Sequence, residues 1–259
     1  MEWRLINTNY NNPYLNMAID EALLTSKLPV LRFYRWKPAG LSLGYFQDIN
    51  DINIENCKKN DIGIVRRITG GKTVLHDKEL TYSFVINEKS MPKGIIESYK
   101  VISKGILLAL KELGVNALIE KEINKKNKNT SICFNDPSYY EIIVNNKKIV
   151  GSAQTRKQGK LLQHGSILID VDIKKLISLF NLEDKREITE KTKKRVTSIN
   201  NELNGKRVSY GNVAEAMKKG FEENFKIKFN EDKLRKEEIT LANKLAKEKY
   251  STKEWNFKL

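Results

Sequence analysis

Residues 30–45 read VLRFYRWKPAGLSLGY and contain two strand-like runs joined by a turn. The runs 30–36 and 41–45 are rich in apolar and aromatic residues, and Pro38, Ala39 and Gly40 between them favour a change of direction. Similar runs at 62–66 and 80–85 predict two more strands on either side of a pair of glycines. These four segments therefore indicate a β-sheet at the centre of the fold.

Helical periodicity surrounds these strands. Residues 14–24 and 98–113 carry apolar side chains three and four positions apart, and Gly114 follows the second run as a typical helix stop. The pair Asn145-Asn146 suits a tight turn between two later strand-like runs. Those and the remaining segments are strands at 139–144, 148–153 and 166–169 and helices at 172–179, 213–225 and 234–250, with a charged loop at 121–129.

The order of these segments predicts an α+β fold, in which a mixed sheet is flanked by helices and followed by a helical C-terminal tail. No repeat, low-complexity tract or Pro/Ser-rich linker divides the chain. We therefore predict a single domain with a core at 1–205 and a helical extension at 206–259.

Composition restricts the class of protein. The chain has 259 residues, 40% of them hydrophobic, which is enough for a sizeable core and excludes a disordered basic polymer. It contains no apolar run long enough to span a membrane, and its first residues show no secretory signal. Its two cysteines, Cys57 and Cys133, cannot form a disulfide scaffold, so a cytoplasmic protein without membrane contact is expected.

The positive charge is large but does not predict a nucleic-acid-binding protein. Lys and Arg number 47 against 32 Asp and Glu, a formal net charge of +15. Only ten of the basic residues are Arg, the side chain that base readout and phosphate clamping favour, and no known nucleic-acid-binding motif is present. A basic surface also speeds encounter with an acidic protein, which we take as the more useful interpretation.

The glycine pair lies in the first segment with chemical character, RRITGGKT at 66–73. Its end resembles a phosphate-binding P-loop, but Arg66 occupies the position of the first glycine, so the motif fails. Gly70 and Gly71 would let a ligand approach backbone N–H donors closely, or they could form an ordinary hairpin turn. Spacing alone leaves both interpretations open.

The histidines and cysteines do not form a metal site. His76 and His164 are the only histidines, and with Cys57 and Cys133 they give no pair at zinc-ligand spacing. The chain also lacks the Gly-x-Ser-x-Gly turn of serine hydrolases. We therefore expect no metal site and no serine-hydrolase chemistry.

Several short motifs in the same order resemble the lipoate–protein ligase and octanoyltransferase family. The matching segments cover the chain from about residue 2 to 170: NMAIDEA at 16–22, RWKP at 35–38, SLGYFQ at 42–47, RRITGG at 66–71, VLHD at 74–77, LTYS at 80–83, KIVGSAQ at 148–154 and QHG at 163–165. This resemblance implies the catalytic-domain fold that the family shares with biotin–protein ligases.

Within the family, the chain is similar to the ligase-like octanoyltransferases. The segments SICF at 131–134 and 249–257 point to that branch, and Lys72 replaces a third glycine typical of the ligases. The resemblance implies transfer of an octanoyl group from octanoyl-acyl carrier protein to a lysine of an apo lipoyl domain, such as the glycine cleavage H protein. A thioester donor already carries the free energy to form an amide, so no cofactor is expected.

The resemblance also implies roles for particular residues. Cys133 is the expected nucleophile, because a thiolate is strongly nucleophilic and its acyl form is again a thioester. Lys148 is its expected partner and acid/base, a role for which partial burial would have to lower its pKa. The expected acyl-binding or positioning residues are Arg67, Gly70, Gly71, His76, Gln154 and His164.

Some alternatives stay open. Both histidines could organise loops, and Tyr45, Phe46 and Leu75 could line an acyl groove or belong to the core. An ATP-dependent lipoate ligase would need nucleotide and magnesium but no cysteine. An amidotransferase acting between lipoyl domains would use chemistry like that of the octanoyltransferase. A lysine-rich nucleic-acid-binding protein would instead bind DNA or RNA with a steep salt dependence.

Overall fold

The computed structural model describes residues 2–120 and 141–258, and within them an eight-stranded sheet and a three-stranded sheet. The strands are β1 (Trp3–Asn11), β2 (Val30–Trp36), β3 (Gly40–Leu43), β4 (Gly63–Arg66), β5 (Val74–His76), β6 (Glu79–Asn87), β7 (Leu118–Ile119), β8 (Ile142–Val144), β9 (Lys147–Lys157), β10 (Lys160–Leu168) and β11 (Phe229–Asp232). The large sheet has the order β11-β1-β2-β6-β10-β9-β8-β7, and the small one has the order β4-β3-β5.

Helices flank both sheets. They are α1 (Pro13–Ala22), α2 (Ile54–Lys59), α3 (Ile95–Glu112), α4 (Ile173–Ser178), α5 (Lys185–Lys193), α6 (Ile199–Glu202), α7 (Tyr210–Phe225), α8 (Lys236–Leu245) and α9 (Lys253–Asn256). A π-helical turn, Ala246–Tyr250, extends α8. This is the mixed sheet with flanking helices that the sequence predicts.

The large sheet mixes both strand directions. β10 pairs antiparallel with β6 on one side and with β9 on the other, and β2 is antiparallel to β6. β1 lies parallel to β2 on one side and to β11 on the other. Asn145 and Asn146 have φ of 49° and 61°, so they form the predicted tight turn between β8 and β9.

One face of the large sheet is covered by α3 and α7. Their side chains form an apolar cluster with sheet residues such as Phe33, Tyr82 and Ile149. The two helices approach closely because each presents a glycine: a Cβ on Gly220 would lie 2.3 Å from the carbonyl oxygen of Gly105. The opposite face packs against α1 and the segment from α8 to Tyr250.

The small sheet forms a third apolar cluster with α2 and α4. Cys57 on α2 is fully buried in it, and burial raises the pKa of its thiol to about 11. This thiol therefore stays protonated near neutral pH and has no nucleophilic character, as expected for a cysteine outside the family motifs.

Four strands were not predicted from the sequence: β1, β5, β7 and β11. β1 is rich in Asn, and β11, Phe229–Asp232, has an exposed and polar pattern after its first residue. β11 joins the large sheet beside β1, so the segment after residue 205 contributes a strand as well as helices. The helix predicted at 234–250 is divided into α8 and the π-helical turn.

The glycine pair is not the turn of a simple hairpin. β4 precedes it in the small sheet, β5 follows it in the same sheet, and both pair with β3. The loop at 67–73 therefore connects β4 to β5, the two outer strands of the small sheet, which lie on either side of β3. β6, the next strand, belongs to the large sheet. The predicted loop at 121–129 and residues 139–140 of the predicted strand lie outside the described residues. No helix in the described part of the chain is long and apolar enough to cross a membrane.

Candidate active site

A cavity of about 380 Å³ opens between the small sheet, α1 and strands β9 and β10. Its lining includes all six of the positions that the sequence marked as acyl-binding or positioning residues. Arg67, Gly70, Gly71, His76, Gln154 and His164 all line it, although they are spread over nearly 100 residues of sequence. Met17, Tyr34, Ser42, Thr81, Ser152 and Gly165 line it as well.

Arg67 holds the glycine loop through hydrogen bonds to its backbone. Its Nη2 donates to the carbonyl oxygens of Gly70 at 2.9 Å and Lys72 at 2.8 Å, and its Nη1 donates to the carbonyl oxygen of Ser42 at 2.8 Å. The buried guanidinium thus donates to three backbone carbonyls and also to the hydroxyls of Thr69 and Ser42. Arg67 is therefore placed to hold the shape of the loop.

Glycine is required in the glycine loop and in the loop that packs against it. Gly71 has φ of +90°, a conformation that a side chain disfavours. A Cβ on Gly44 would lie 1.7 Å from the carbonyl oxygen of Gly71, so the loop at 44–47 presses directly on the glycine loop. None of the hydrogen bonds found among the described residues uses the amide of Gly70 or Gly71. These amides are donors available to a negatively charged oxygen in the cavity.

His164 is fixed by two partners. Its Nδ1 lies 2.9 Å from Oδ2 of Asp20, and its Nε2 lies 2.7 Å from the hydroxyl of Thr69. Burial lowers the pKa of His164, which outweighs the opposite effect of the Asp20 carboxylate. A neutral ring donates from Nδ1 to Asp20 and accepts at Nε2 from Thr69, whose oxygen also accepts from Arg67. The chain Asp20–His164–Thr69–Arg67 therefore ties the sheet to the glycine loop.

Asp20 is buried on α1 with a matched set of donors. Arg32 Nη1 lies 2.7 Å from its Oδ1, and the Tyr34 hydroxyl donates to its Oδ2 at 2.8 Å. Burial alone would raise the pKa of Asp20, but the hydrogen bond from His164 and the charge of Arg32 lower it. Asp20 is therefore an anion whose charge is compensated inside the protein.

His76 forms the opposite wall of the cavity. Its Nε2 is 2.9 Å from the Ser42 hydroxyl, and its Nδ1 is 3.3 Å from Oε1 of Glu79. Its ring stacks on Trp36 with centroids 4.1 Å apart. His76 is thus a rigid part of the cavity wall, with both ring nitrogens in contact with side chains of the protein.

Gln154 belongs to a polar network along the sheet. It accepts from the Ser98 hydroxyl at 2.9 Å and donates to Gln163 at 3.0 Å. Gln163 in turn donates to the Tyr82 hydroxyl, which is 2.8 Å from the Ser152 hydroxyl. A Cβ on Gly165 would lie 2.5 Å from that Ser152 oxygen, so glycine is needed at this position. This network connects α3 to the floor of the cavity.

Lys148 is buried on β9, and its ammonium lies 2.5 Å from Oε1 of Glu141. It is not among the residues that line the cavity, but Gly151 and Ser152 on the same strand are. This ion pair places a carboxylate directly against the Lys148 ammonium, and the acid/base role of Lys148 stays a prediction. Cys133, the predicted nucleophile, lies outside the described residues.

Sequence reasoning missed four polar residues of this region. Asp20 lies within the quoted segment at 16–22, and Thr69 lies next to Gly70, but neither was assigned a role. Ser42 lies within the quoted segment at 42–47, and Glu141 precedes the segment at 148–154, but neither was assigned a role. Their partners, His76 and Lys148, are distant in sequence or on another strand, so only the fold reveals the pairs.

The apolar residues proposed for an acyl groove lie elsewhere. Tyr45, Phe46 and Leu75 are not among the residues that line the cavity, and the Phe46 side chain is 79% exposed. Phe46 therefore belongs neither to the groove nor to the core. No group of three or more His, Cys, Asp or Glu among residues 2–120 and 141–258 is arranged to hold a metal ion.

Comparison with known proteins defines the class to which this fold and cavity belong. The family model of the lipoyl protein ligase A/B catalytic domain matches residues 12–222. The structure is similar to that of a lipoate-protein ligase A bound with ATP, with a TM-score of 0.82, 30% identity and 99% of each chain covered. It is equally similar to a putative lipoate protein ligase from T. acidophilum with bound lipoic acid, with a TM-score of 0.82, 30% identity and all of both chains covered.

Relatives that match this chain over nearly its full length are octanoyltransferases. The octanoyltransferase LipM of Bacillus subtilis (strain 168) is 45% identical over 99% of this chain and 98% of that protein. The octanoyltransferase LipM of Staphylococcus aureus (strain NCTC 8325 / PS 47) is 40% identical over 99% of this chain and 98% of that protein. The chain belongs to the lipoyl protein ligase A/B catalytic domain family. It is an acyltransferase of that family.

Proposed function

We propose that this protein transfers an octanoyl group from octanoyl-acyl carrier protein to a specific lysine of a lipoyl domain, with Cys133 as the acyl carrier. The observation that supports this most strongly is the full-length similarity to enzymes named octanoyltransferase, at 40–45% identity. A cytoplasmic location stays a prediction from the cysteine content.

The proposed reaction has two steps. The Cys133 thiolate attacks the carbonyl carbon of the octanoyl thioester, a carbon–sulfur bond to Cys133 forms, and the bond to the phosphopantetheine sulfur breaks. The departing sulfur takes a proton. The amine of the acceptor lysine then attacks the Cys133 thioester, loses a proton and releases the thiol of Cys133. The amide is formed from thioester energy, so no ATP or metal takes part.

The cavity supports the binding half of the proposal. Burial of an octanoyl chain in its 380 Å³ contributes about 0.8 kcal/mol per methylene, or about 5 kcal/mol in all. The amides of Gly70 and Gly71 would donate to the carbonyl oxygen as negative charge develops on it. Arg67 and Thr69 hold those amides in place.

Lys148 supports the chemical half. A buried ammonium near the nucleophile would favour the thiolate over the thiol and would supply a proton to the departing sulfur. Glu141 balances the charge of Lys148 in the resting enzyme. We assign Lys148 to thiolate stabilisation and to acid/base proton transfer, including protonation of the leaving sulfur.

The test is an ATP-free transfer assay followed by intact-mass analysis. Octanoyl-acyl carrier protein and an apo lipoyl domain, such as an apo glycine cleavage H protein, should yield the octanoylated lipoyl domain. Without the acceptor, the enzyme should gain one octanoyl group, and Cys133→Ser should abolish a hydroxylamine-labile adduct. Cys57→Ser serves as the matched control, since that buried thiol should be dispensable for transfer.

Two other activities are distinguishable outcomes. The structural similarity to lipoate-protein ligases at 30% identity makes an ATP-dependent ligase the second candidate. Transfer only from free octanoate or lipoate with ATP and magnesium would establish the ligase and refute the transferase. Transfer only from an octanoylated lipoyl domain, and not from the carrier protein, would establish an amidotransferase.

A further inference from the structure

Three aromatic and three lysine side chains form one surface beside the glycine loop. We call it the aromatic–lysine patch; its members are Tyr45, Phe46, Trp255, Lys157, Lys249 and Lys258. Phe46 is 79% exposed, more than any other large hydrophobic side chain among the described residues. An aromatic ring that exposed is costly in water and is a typical anchor for a protein partner.

The loop that presents Phe46 is braced from inside the protein. Arg66 Nη1 donates to the carbonyl oxygens of Gly44 at 2.8 Å and Gln47 at 2.6 Å. The Tyr45 amide donates to the carbonyl oxygen of Thr69 at 2.9 Å. The Tyr45 ring contacts the rings of Phe46 and Trp255 edge-on. A partner that binds Phe46 would therefore meet a preorganised loop, with little entropy left to lose.

Positive charge surrounds this aromatic group. Lys249 and Lys157 lie 2.5 Å and 2.9 Å from the two carboxylate oxygens of Glu21. Lys258 lies over the rings of Tyr45 at 3.7 Å and Trp255 at 4.0 Å. Burial lowers the pKa of Lys249, and the charges of Lys157 and Lys258 add to that effect against the attraction of Glu21. Two ammonium groups thus share one carboxylate, a third lies over the aromatic rings, and the patch attracts further negative charge.

The patch is continuous with the cavity wall. Gly44 presses against Gly71, which lines the cavity, and Phe46 is two residues farther along the same loop. Lys157 ends β9, the strand that carries Gln154 into the cavity lining. A protein bound on the patch would therefore stand next to the glycine loop that lines the cavity.

We propose that the aromatic–lysine patch docks the acidic acyl carrier protein that delivers the octanoyl group. Phe46 would make an apolar contact with the carrier protein, and the three lysines would face the carboxylates of the carrier protein. The patch contains no arginine and only one ring exposed for stacking, which favours an acidic protein over a nucleic acid. This inference rests on the proposed function, since it assumes a carrier-bound donor.

The experiment compares two octanoyl donors in the ATP-free transfer assay. For Phe46→Ala and for Lys258→Glu, the KM for octanoyl-acyl carrier protein should rise at least tenfold, with kcat little changed. The KM for octanoyl-pantetheine, which has no protein surface, should stay within a factor of two. Raising the salt concentration should increase the KM for the carrier-bound donor only.

Matched controls come from exposed residues outside the patch. Ile239→Ala on α8 removes an exposed apolar side chain, and Lys174→Glu on α4 makes the same change of charge as Lys258→Glu. Neither should alter the KM for either donor. Equal KM values for wild type and Phe46→Ala with the carrier would overturn the proposal. A rise in the KM for the apo lipoyl domain alone would also overturn it, because the patch would then bind the acceptor.

Direct binding separates this proposal from the proposed function. Fluorescein-labelled octanoyl-acyl carrier protein should bind wild type with a Kd at least tenfold lower than that for Phe46→Ala, by fluorescence anisotropy. If transfer fails but this difference is present, the docking surface stands and the proposed reaction is wrong. If transfer succeeds without the difference, the reaction stands and the docking surface is wrong. Displacement of the carrier by RNA but not by high concentrations of unlabelled carrier would assign the patch to nucleic acid.

Discussion

At the scale of single residues, the site combines groups that reach the cavity with groups that hold them. Arg67 and His164 were predicted to bind or position the acyl group, and both line the cavity. Arg67 uses its donors on the glycine loop, and His164 connects Asp20 to Thr69. Both side chains therefore hold the glycine loop in place, and their contact with an acyl group stays a prediction.

Glu141→Gln tests the charge balance of Lys148. The substitution keeps the shape of the side chain but removes the carboxylate 2.5 Å from the Lys148 ammonium. We expect kcat for octanoyl transfer to fall about tenfold, a loss of about 1.4 kcal/mol of transition-state stabilisation, with the KM for the donor little changed. A purely structural role would lower the melting temperature and leave kcat of the folded enzyme unchanged. Glu190→Gln, on exposed α5, is the control.

The buried His164 predicts a pH dependence of stability. Burial lowers its pKa below the ordinary value of 6.5, so the unfolded chain binds a proton more readily than the folded one. Stability from this group is present above about pH 6.5 and decreases as the pH falls toward the lowered pKa. The lowered pKa of Asp20 has the same sign but acts at lower pH.

We expect His164→Gln to be less stable than wild type at pH 7.5, and the difference to shrink as the pH falls to 5. Melting temperatures measured by calorimetry across this range check the prediction. A wild-type and variant difference that stays constant with pH would show that His164 does not titrate on unfolding.

At the scale of elements, the sequence patterns located the central strands and long helices well. β2 lies at 30–36 as predicted, and α3 extends the predicted 98–113 by one turn at its start. Their apolar side chains repeat with the period of the element, so the pattern carries the information. β1 and β11 were missed, because most of their residues are polar and their strand character comes from pairing: β1 pairs with β2 and β11, and β11 pairs with β1.

The same contrast holds for the site. The glycine pair, both histidines and Gln154 could be predicted, because they lie within short motifs. Glu141 and Asp20 act through a partner that the sheet brings close, and neither pairing distance is encoded in spacing along the chain. Physical pairing across strands is therefore the part of the site that required the fold.

The contact between α3 and α7 gives a stability prediction. Gly220→Ala places a methyl group 2.3 Å from the Gly105 carbonyl oxygen, so the two helices must separate. We expect a loss of about 1–3 kcal/mol in the free energy of unfolding, as for other overpacked cores. Gly211→Ala in the same helix has only a contact of 3.7 Å and should be neutral or stabilising by up to about 1 kcal/mol. Urea denaturation of both variants tests this, and equal effects would contradict it.

At the scale of the whole molecule, the C-terminal segment is clasped to the site. Arg66 Nη2 donates to the carbonyl oxygens of Asn256 at 3.0 Å and Lys258 at 2.9 Å, while its Nη1 holds the loop at 44–47. The Asn256 side chain also accepts from the Arg66 amide at 2.7 Å. One buried side chain therefore couples the end of the chain to the loop that presses on Gly71.

Removing residues 251–259 should disable the enzyme without unfolding it. The deletion leaves the Arg66 guanidinium without two of its acceptors and frees the loop at 44–47. We expect transfer from octanoyl-pantetheine to fall at least tenfold, while far-ultraviolet circular dichroism stays close to that of wild type. Full activity with the small donor would show that the clasp does not position the glycine loop.

The pairing of β1 with β11 has a consequence for synthesis in the cell. Arg4 on β1 is buried, and its charge is balanced by Asp232 and Glu238, near the opposite end of the chain. A nascent chain leaving the ribosome therefore exposes one edge of its first strand, with an unneutralised guanidinium, until those carboxylates have been translated. Fragments that stop at residue 222, the limit of the family match, would carry that edge permanently and invite chaperone capture.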